Sequence, residues 1–180
     1  VPIMLDFIRI ACAVPDVAVA NVKHNAEQIV KYIAQADEQG VDLLVFPELA
    51  LTGASCMDLF FEDALHAAVR KGMKQIVDCS KEHPDMTIVV GLPVRDGLRI
   101  FNSAAVIIEG EVQGFVPKSV IPASDESRWF ASANDLCDGD AIGTALGWEN
   151  EFCGGRAMFN IHDTHLCVEF GSDLASPVPV

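Results

Sequence analysis

The chain has 180 residues, a net charge of −14 and 51% hydrophobic residues. This length and composition fit one folded domain with a sizeable core and exclude an intrinsically disordered chain. The acidic balance disfavours non-specific binding to nucleic acid or to anionic membrane, and no apolar stretch approaches the roughly 18 to 20 residues that span a bilayer. We therefore expect a small-molecule or protein partner, no nucleic acid, no membrane, and a cytoplasmic protein because the N-terminus lacks a signal-peptide pattern.

The first half of the chain alternates between strand and helix patterns. Phe7–Val14 and Val41–Phe46 are short apolar runs that suit buried strands. Between them, Asn21–Gln39 carries apolar residues at helical spacing, and Gly40 is suited to cap the end of this helix. The order predicts a strand, helix, strand unit. Asp63–Lys81 then has the spacing of a second amphipathic helix.

The second half of the chain is rich in strand patterns. Predicted strands occupy Thr87–Leu92, Phe101–Ile108, Glu111–Val116, Arg156–Ile161 and Leu166–Phe170. Glu109-Gly110 is a turn sequence that makes the second and third of these a hairpin. Ile121 to Glu151 has no clear period and is predicted to be a long, functional loop. The pattern predicts a mixed sheet with helices on one face, and the absence of a closing element after Gly171 predicts a C-terminally truncated domain.

The six cysteines are spread widely along the chain, with no CxxC pair and no Cys/His spacing of a zinc site. Free thiols are the expected state, although the even count leaves disulfides open. We expect no bound metal and no cofactor in this domain.

Three positions that could carry chemistry follow predicted strands. Glu48 is either a general base at a strand end or simply the point where the strand reaches water. Lys118 ends the hairpin, where a lysine is more often a solvated edge residue than a catalytic cation. Gly171 could form the strained turn that presents a nucleophile, but neither Cys167 nor Ser172 is obviously that nucleophile. A glutamate and a lysine in one pocket could activate a thiol and stabilise an oxyanion.

The segments around these positions resemble one family in order and spacing. FPELALTG at Glu48, VPKSVIP at Lys118 and VEFGSDLASPVP at Gly171 resemble the Glu, Lys, Cys order of the nitrilase (carbon-nitrogen hydrolase) superfamily. LTGASCMDLFFEDAL and SRWF bring the resemblance closest to the glutamine amidase domain of glutamine-dependent NAD synthetases. The resemblance implies an α/β fold of nitrilase-like αββα architecture with mixed β-sheets, a single incomplete amidase domain over residues 1–180, and a homo-oligomer.

The resemblance also implies roles for individual residues. Glu48 would be the general base and Lys118 the stabiliser of the tetrahedral intermediate, while Gly171 stands at the position of the nucleophilic cysteine. Glu126 matches a second glutamate of the family and Ser172 the residue after the nucleophile, so both are implied in substrate binding. Glycine has no side chain to attack glutamine or a similar small amide. Removing a protease nucleophile costs about 10⁶ in rate, so we expect a crippled or inactive site.

The chain departs from the family pattern in two further ways. Only five residues lie between Pro122 and Arg128, where the family has a longer segment that contains tyrosine. The ATP-dependent synthetase domain, with its glycine-rich pyrophosphate loop, is absent from this chain, so the implied ammonia-using partner would lie outside it. Two alternatives stay open: a noncatalytic nitrilase-fold module for oligomerisation or regulation, and another carbon-nitrogen amidase.

Overall fold

The structure is a computed structural model, and it describes residues 7–124, 126–136, 147, 157–161 and 163–175. Cys137, Cys153 and much of the predicted loop between Ile121 and Glu151 lie outside the described residues. Within this described part, no helix is both long and apolar enough to cross a bilayer.

A five-stranded mixed sheet forms the centre of the fold. Its strands lie across the sheet in chain order: β1 (Ile10–Cys12), β2 (Leu43–Val45), β3 (Thr87–Asp96), β4 (Arg99–Ile108) and β5 (Glu111–Pro117). The first three strands are parallel, and β4 is antiparallel to both of its neighbours. The carboxyl ends of β2, β3 and β5 therefore point toward the same edge of the sheet, together with the first residues of β4.

Two helices, α1 (Val22–Asp37) and α2 (Asp63–Ser80), cover one face of this sheet. In α1, Ala26, Ile29 and Ile33 are completely buried and recur three or four residues apart, which places them on one side of the helix. The predicted mixed sheet with helices on one face is thus confirmed.

The opposite face of the sheet packs against a second, antiparallel strand pair, β6 (Met158–Ile161) and β7 (Thr164–Cys167). Successive residues of a strand point to opposite faces, so Val90 lies in the core with the helices and Val89 lies in the core with Phe159. Because both faces are buried, the central strands are continuous apolar runs rather than alternating ones. The described residues form three layers: helices, the mixed sheet and the strand pair.

The prediction that β3 ends at Leu92 was wrong, because the strand continues through Pro93 to Asp96. Pro93 lies opposite Asn102 of β4, and the backbone carbonyl of Asn102 turns away from it to accept the N–H of Lys118, the residue after β5, at 2.8 Å. The proline therefore sits in a pair that requires no N–H from it. On its other side β2 has already ended, so the missing donor costs the sheet no hydrogen bond.

The prediction of a strand over Leu166–Phe170 was also too long, because β7 ends at Cys167. A carboxylate oxygen of Asp173 accepts the N–H of Phe170 at 3.3 Å. A short 3₁₀ helix, Asp173–Ala175, then begins. The chain thus turns at Gly171 instead of continuing as a strand.

Candidate active site

Glu48 lies in a tight turn that follows β2 and packs directly on β3. A Cβ atom at Gly91 of β3 would lie 2.6 Å from the amide nitrogen of Leu49 and 2.8 Å from the Cα of Glu48, and would also collide with the carbonyl oxygen of Pro47. All three are backbone atoms and cannot move aside cheaply. The absence of a side chain at position 91 therefore allows the turn to carry Glu48 over the sheet edge.

Lys118, immediately after β5, brings two glutamates together. Its Nζ donates to Oε2 of Glu48 at 3.0 Å and to Oε1 and Oε2 of Glu126 at 3.0 and 3.2 Å. The Nδ2 of Asn102 donates to Oε2 of Glu48 at 2.9 Å and to Oε1 of Glu126 at 3.2 Å. One ammonium and one amide group thus bridge both carboxylates.

The electrostatics of this cluster favour a permanently charged lysine. The Lys118 side chain is 5% exposed, whereas those of Glu48 and Glu126 are 39% and 22% exposed. Burial alone would lower the pKa of Lys118, but the hydrogen bonds and attraction from Glu126 and Glu48 outweigh it and raise this pKa above its usual value. Lys118 is therefore an ammonium at neutral pH, a donor suited to hold a developing negative charge.

Glu126 reaches Lys118 because the short helix α3 (Glu126–Trp129) is fixed to the segment after Glu48. Arg128 makes two hydrogen bonds to Asp58, from Nε to Oδ1 and from Nη2 to Oδ2, both of 2.8 Å. The indole N–H of Trp129 donates to the same carboxylate at 2.9 Å. These bonds, led by the one from Arg128, lower the pKa of Asp58 to about 2. The DLFF and SRWF segments, noted separately in the sequence, are therefore in direct contact.

The turn at Gly171 is bonded to the residues that follow Lys118. Oδ1 of Asp173 accepts the backbone N–H groups of Ser119 at 3.0 Å and of Val120 at 2.6 Å. The hydroxyl of Ser172 donates to the carbonyl of Val120 at 2.7 Å. These bonds hold the turn at Gly171 against the residues that follow β5. The Ser172 hydroxyl is used for this connection, and Ser172 does not take the place of a nucleophile at 171.

Gly171 itself has room for a side chain. Among the described residues, no heavy atom lies within 4 Å of a Cβ atom built on its backbone. Its φ is outside the left-handed region that favours glycine. Neither space nor backbone conformation requires glycine here.

The structure brings Glu48, Lys118 and Glu126 into contact. It joins the turn of Gly171 and Ser172 to Ser119 and Val120, the residues after Lys118. Sequence reasoning missed Asn102 and left Asp173 without a role. An asparagine inside the apolar run FNSAAVII was a usable signal, since a buried amide needs partners.

Cys12, Cys56, Cys79 and Cys167 are free thiols as expected. In the described part of the chain, no group of three or more metal-binding side chains occurs.

Comparison with known proteins agrees with this arrangement of strands. The model of the carbon-nitrogen hydrolase family matches residues 9–151, so the chain belongs to this family, as its motifs predict. The glutamine-dependent NAD(+) synthetase of Mycobacterium tuberculosis is 32% identical over 180 residues, which cover 96% of this chain and 26% of that protein. The chain thus spans about a quarter of the length of such relatives.

Solved structures support the fold class. A glutamine-dependent NAD(+) synthetase from Cytophaga hutchinsonii aligns with a TM-score of 0.71 at 24% identity, over 88% of this chain and 27% of that one. An amidase from Nesterenkonia sp. aligns with a TM-score of 0.60 at 24% identity, over 69% of this chain and 48% of that one. These likenesses confirm the predicted nitrilase-like fold.

Proposed function

We propose that this chain is a glutamine amidase domain of the type found in glutamine-dependent NAD synthetases, and that its own hydrolytic step is disabled at Gly171. The observation that carries the proposal is the joining of Glu48, Glu126 and Lys118 through one ammonium group. The similarity of nearly the whole chain to synthetases named for their use of glutamine supports the substrate.

The geometry suits a thiol-based amidase reaction. A thiol at position 171 would lose its proton to Glu48 and attack the amide carbon, and Lys118 would stabilise the resulting oxyanion. As the tetrahedral intermediate collapses, the proton passes from Glu48 to the amide nitrogen and the C–N bond breaks. Ammonia departs, and the acyl group remains on the thiol as a thioester. Water then attacks the thioester, and the thiol and the free carboxylate are released.

In this chain the first step has no nucleophile. Cys167 is exposed at the end of β7, four residues before position 171, and we propose that its sulfur does not replace a nucleophile there. A solved structure of a mutant of the amidase from Nesterenkonia sp. AN1 shows covalent addition of the acetamide moiety of fluoroacetamide at its active site cysteine. We propose that the amide site here binds its ligand without forming such a bond.

Ammonia release from glutamine tests this proposal. The parent protein, Gly171→Cys and the matched control Gly171→Ala should all fold, because a Cβ atom at 171 meets open space among the described residues. We expect release by Gly171→Cys alone, since loss of a nucleophile costs about 10⁶ in rate. Release by the parent or by Gly171→Ala at a rate comparable to that of Gly171→Cys would refute the assignment of Gly171. Release from simple aliphatic amides but not from glutamine would favour another amidase of the family.

A noncatalytic role is the second candidate, and the missing side chain at 171 favours it. In this case the fold would serve contacts between copies of the chain or regulation of an ammonia-using synthetase domain. Light scattering after size-exclusion chromatography tests the first of these roles. A homo-oligomer is expected, and a strictly monomeric protein would contradict a role in assembly.

A further inference from the structure

Asn102 is a fully buried polar residue in the middle of an apolar strand. It is 0% exposed in β4, between residues that are also buried. Its side chain lies on the sheet face that carries Ala104 and Val106, the face opposite the helices. A buried amide in such a position must be explained by the hydrogen bonds it makes.

Three of these bonds connect Asn102 to the candidate site. The two hydrogen atoms of Nδ2 are shared between Glu48 at 2.9 Å and Glu126 at 3.2 Å. Its backbone carbonyl accepts the backbone N–H of Lys118 at 2.8 Å. One residue therefore fixes the strand position of the lysine and the side chains of both glutamates.

The chemistry of the cluster explains why a rigid donor is needed. Two carboxylates share a single ammonium, so they repel each other, and the long lysine side chain by itself leaves their orientation free. Oε2 of Glu48 accepts from both Lys118 and Asn102. Within the described part of the chain, the other oxygen, Oε1, has no hydrogen-bond partner and is left to act as a base.

Packing does not account for asparagine at this position. Its Oδ1 is buried and, among the described residues, has no hydrogen-bond partner, which is unfavourable for folding. Leucine has the same branching at Cγ and the same number of side-chain heavy atoms, and it has no acceptor to leave unpaired. The amide is therefore present for what Nδ2 does.

We infer that Asn102 is a positioning residue for the amidase chemistry, which orients Glu48 and Glu126 around Lys118 so that one oxygen of Glu48 faces position 171. The inference rests on the proposed function. It adds to the site a residue that would touch no substrate and would act only through the two carboxylates.

The test measures the reactivity of the thiol introduced by Gly171→Cys, which requires no turnover. Alkylation of this thiol by iodoacetamide is followed by mass spectrometry of the peptide across a range of pH. We compare Gly171→Cys alone with its combinations with Asn102→Leu, with Asn102→Asp, and with the control Ser103→Ala. Ser103 is an equally buried neighbour whose hydroxyl, among the described residues, donates to the carbonyl of Phe101. Thermal unfolding shows which variants fold.

If Glu48 is held as a base, the thiol in Gly171→Cys reacts at a pH well below the value of about 8.5 at which a free thiol ionises. Asn102→Leu removes the amide, and Asn102→Asp keeps the shape but removes the donors. Each should lower the alkylation rate at pH 7 at least tenfold and return the pH profile to that of a free thiol. Ser103→Ala should leave both unchanged.

Two results would overturn the inference, and they differ. Reactivity that is high in Gly171→Cys and unchanged by either Asn102 substitution would refute the positioning role and leave the proposed function standing. An ordinary thiol profile in Gly171→Cys itself would show that no base reaches position 171, and would refute the proposed function together with the inference.

Discussion

Replacing Asp173 by asparagine is expected to release the turn at Gly171 from the end of β5. Asp173 is 2% exposed, and its two carboxylate oxygens accept the backbone N–H groups of Ser119, Val120 and Phe170. Each of these N–H groups would otherwise need another partner in a largely buried region. Asparagine keeps the size of the side chain, but it turns one of the two acceptor oxygens into a donor.

The expected loss follows from the number of N–H groups involved. Hydrogen bonds to a charged group contribute about 1.5–3 kcal/mol each, and a buried donor left unpaired costs about 1–3 kcal/mol. In Asp173→Asn at least one of the three backbone N–H groups faces the new amide NH₂ and loses its acceptor. The hydrogen bonds that remain are weaker because the acceptor no longer carries a negative charge. We therefore expect the free energy of unfolding to fall by about 2–4 kcal/mol.

Urea unfolding followed by circular dichroism measures this loss. With a denaturant slope of roughly 2 kcal/mol/M, the midpoint should fall by about 1–2 M. The matched control is Asp78→Asn on α2, where the carboxylate is exposed and pairs with Lys81 at 2.9 Å one turn away. No measurable change is expected there. Equal midpoints for Asp173→Asn and Asp78→Asn would show that Asp173 does not hold the turn.

Three further predictions concern the surroundings of the site. Gly91→Ala should destabilise the fold by about 1–3 kcal/mol, since its Cβ meets backbone atoms. In the Gly171→Cys background it should abolish ammonia release by displacing Glu48. Unchanged release would show that the turn carrying Glu48 does not depend on a glycine at position 91. The contact of Asp58 with Trp129 should be fully present above pH 3.8 and lost as the pH falls through about 2, which the indole N–H resonance of Trp129 reports. Burial lowers the pKa of His66 below 6.5, so as the pH falls the unfolded chain protonates this imidazole before the folded chain does. The free energy of unfolding should therefore decrease as the pH drops below 6.5. His66→Leu should remove this part of the pH dependence.

The secondary structure could be predicted where a single period decides it. The helix expected over Asn21–Gln39 is found as Val22–Asp37, because one face of it is apolar and the period of 3.6 has no competitor. The strand β3 could not be bounded in this way. Proline usually ends a strand because it has no N–H to donate. Pro93 is tolerated because its nitrogen faces no strand that needs a donor. That depends on how the strands pair, which the local sequence does not show.

The site could be predicted only in part, for a related reason. Glu48 and Lys118 are recognisable because they stand in motifs of fixed order. The contacts of Asn102 with Glu48 and of Arg128 with Asp58 join residues that are 54 and 70 positions apart. No periodicity connects such pairs, so their roles emerge only when the hairpin and α3 are placed over the turn after β2.

The described contacts also explain how the site can remain ordered without a nucleophile. Lys118 is held by Glu48 and Glu126, and the Gly171 turn is held by the carboxylate of Asp173. None of these hydrogen bonds uses a side chain at position 171, and the loss of one there removes no buried contact that a Cβ would make. On the proposed function, the chemistry and the architecture of this site would therefore be separable: glycine at 171 would remove the attack on the amide, while the groups that would assist it are held by hydrogen bonds that do not involve position 171.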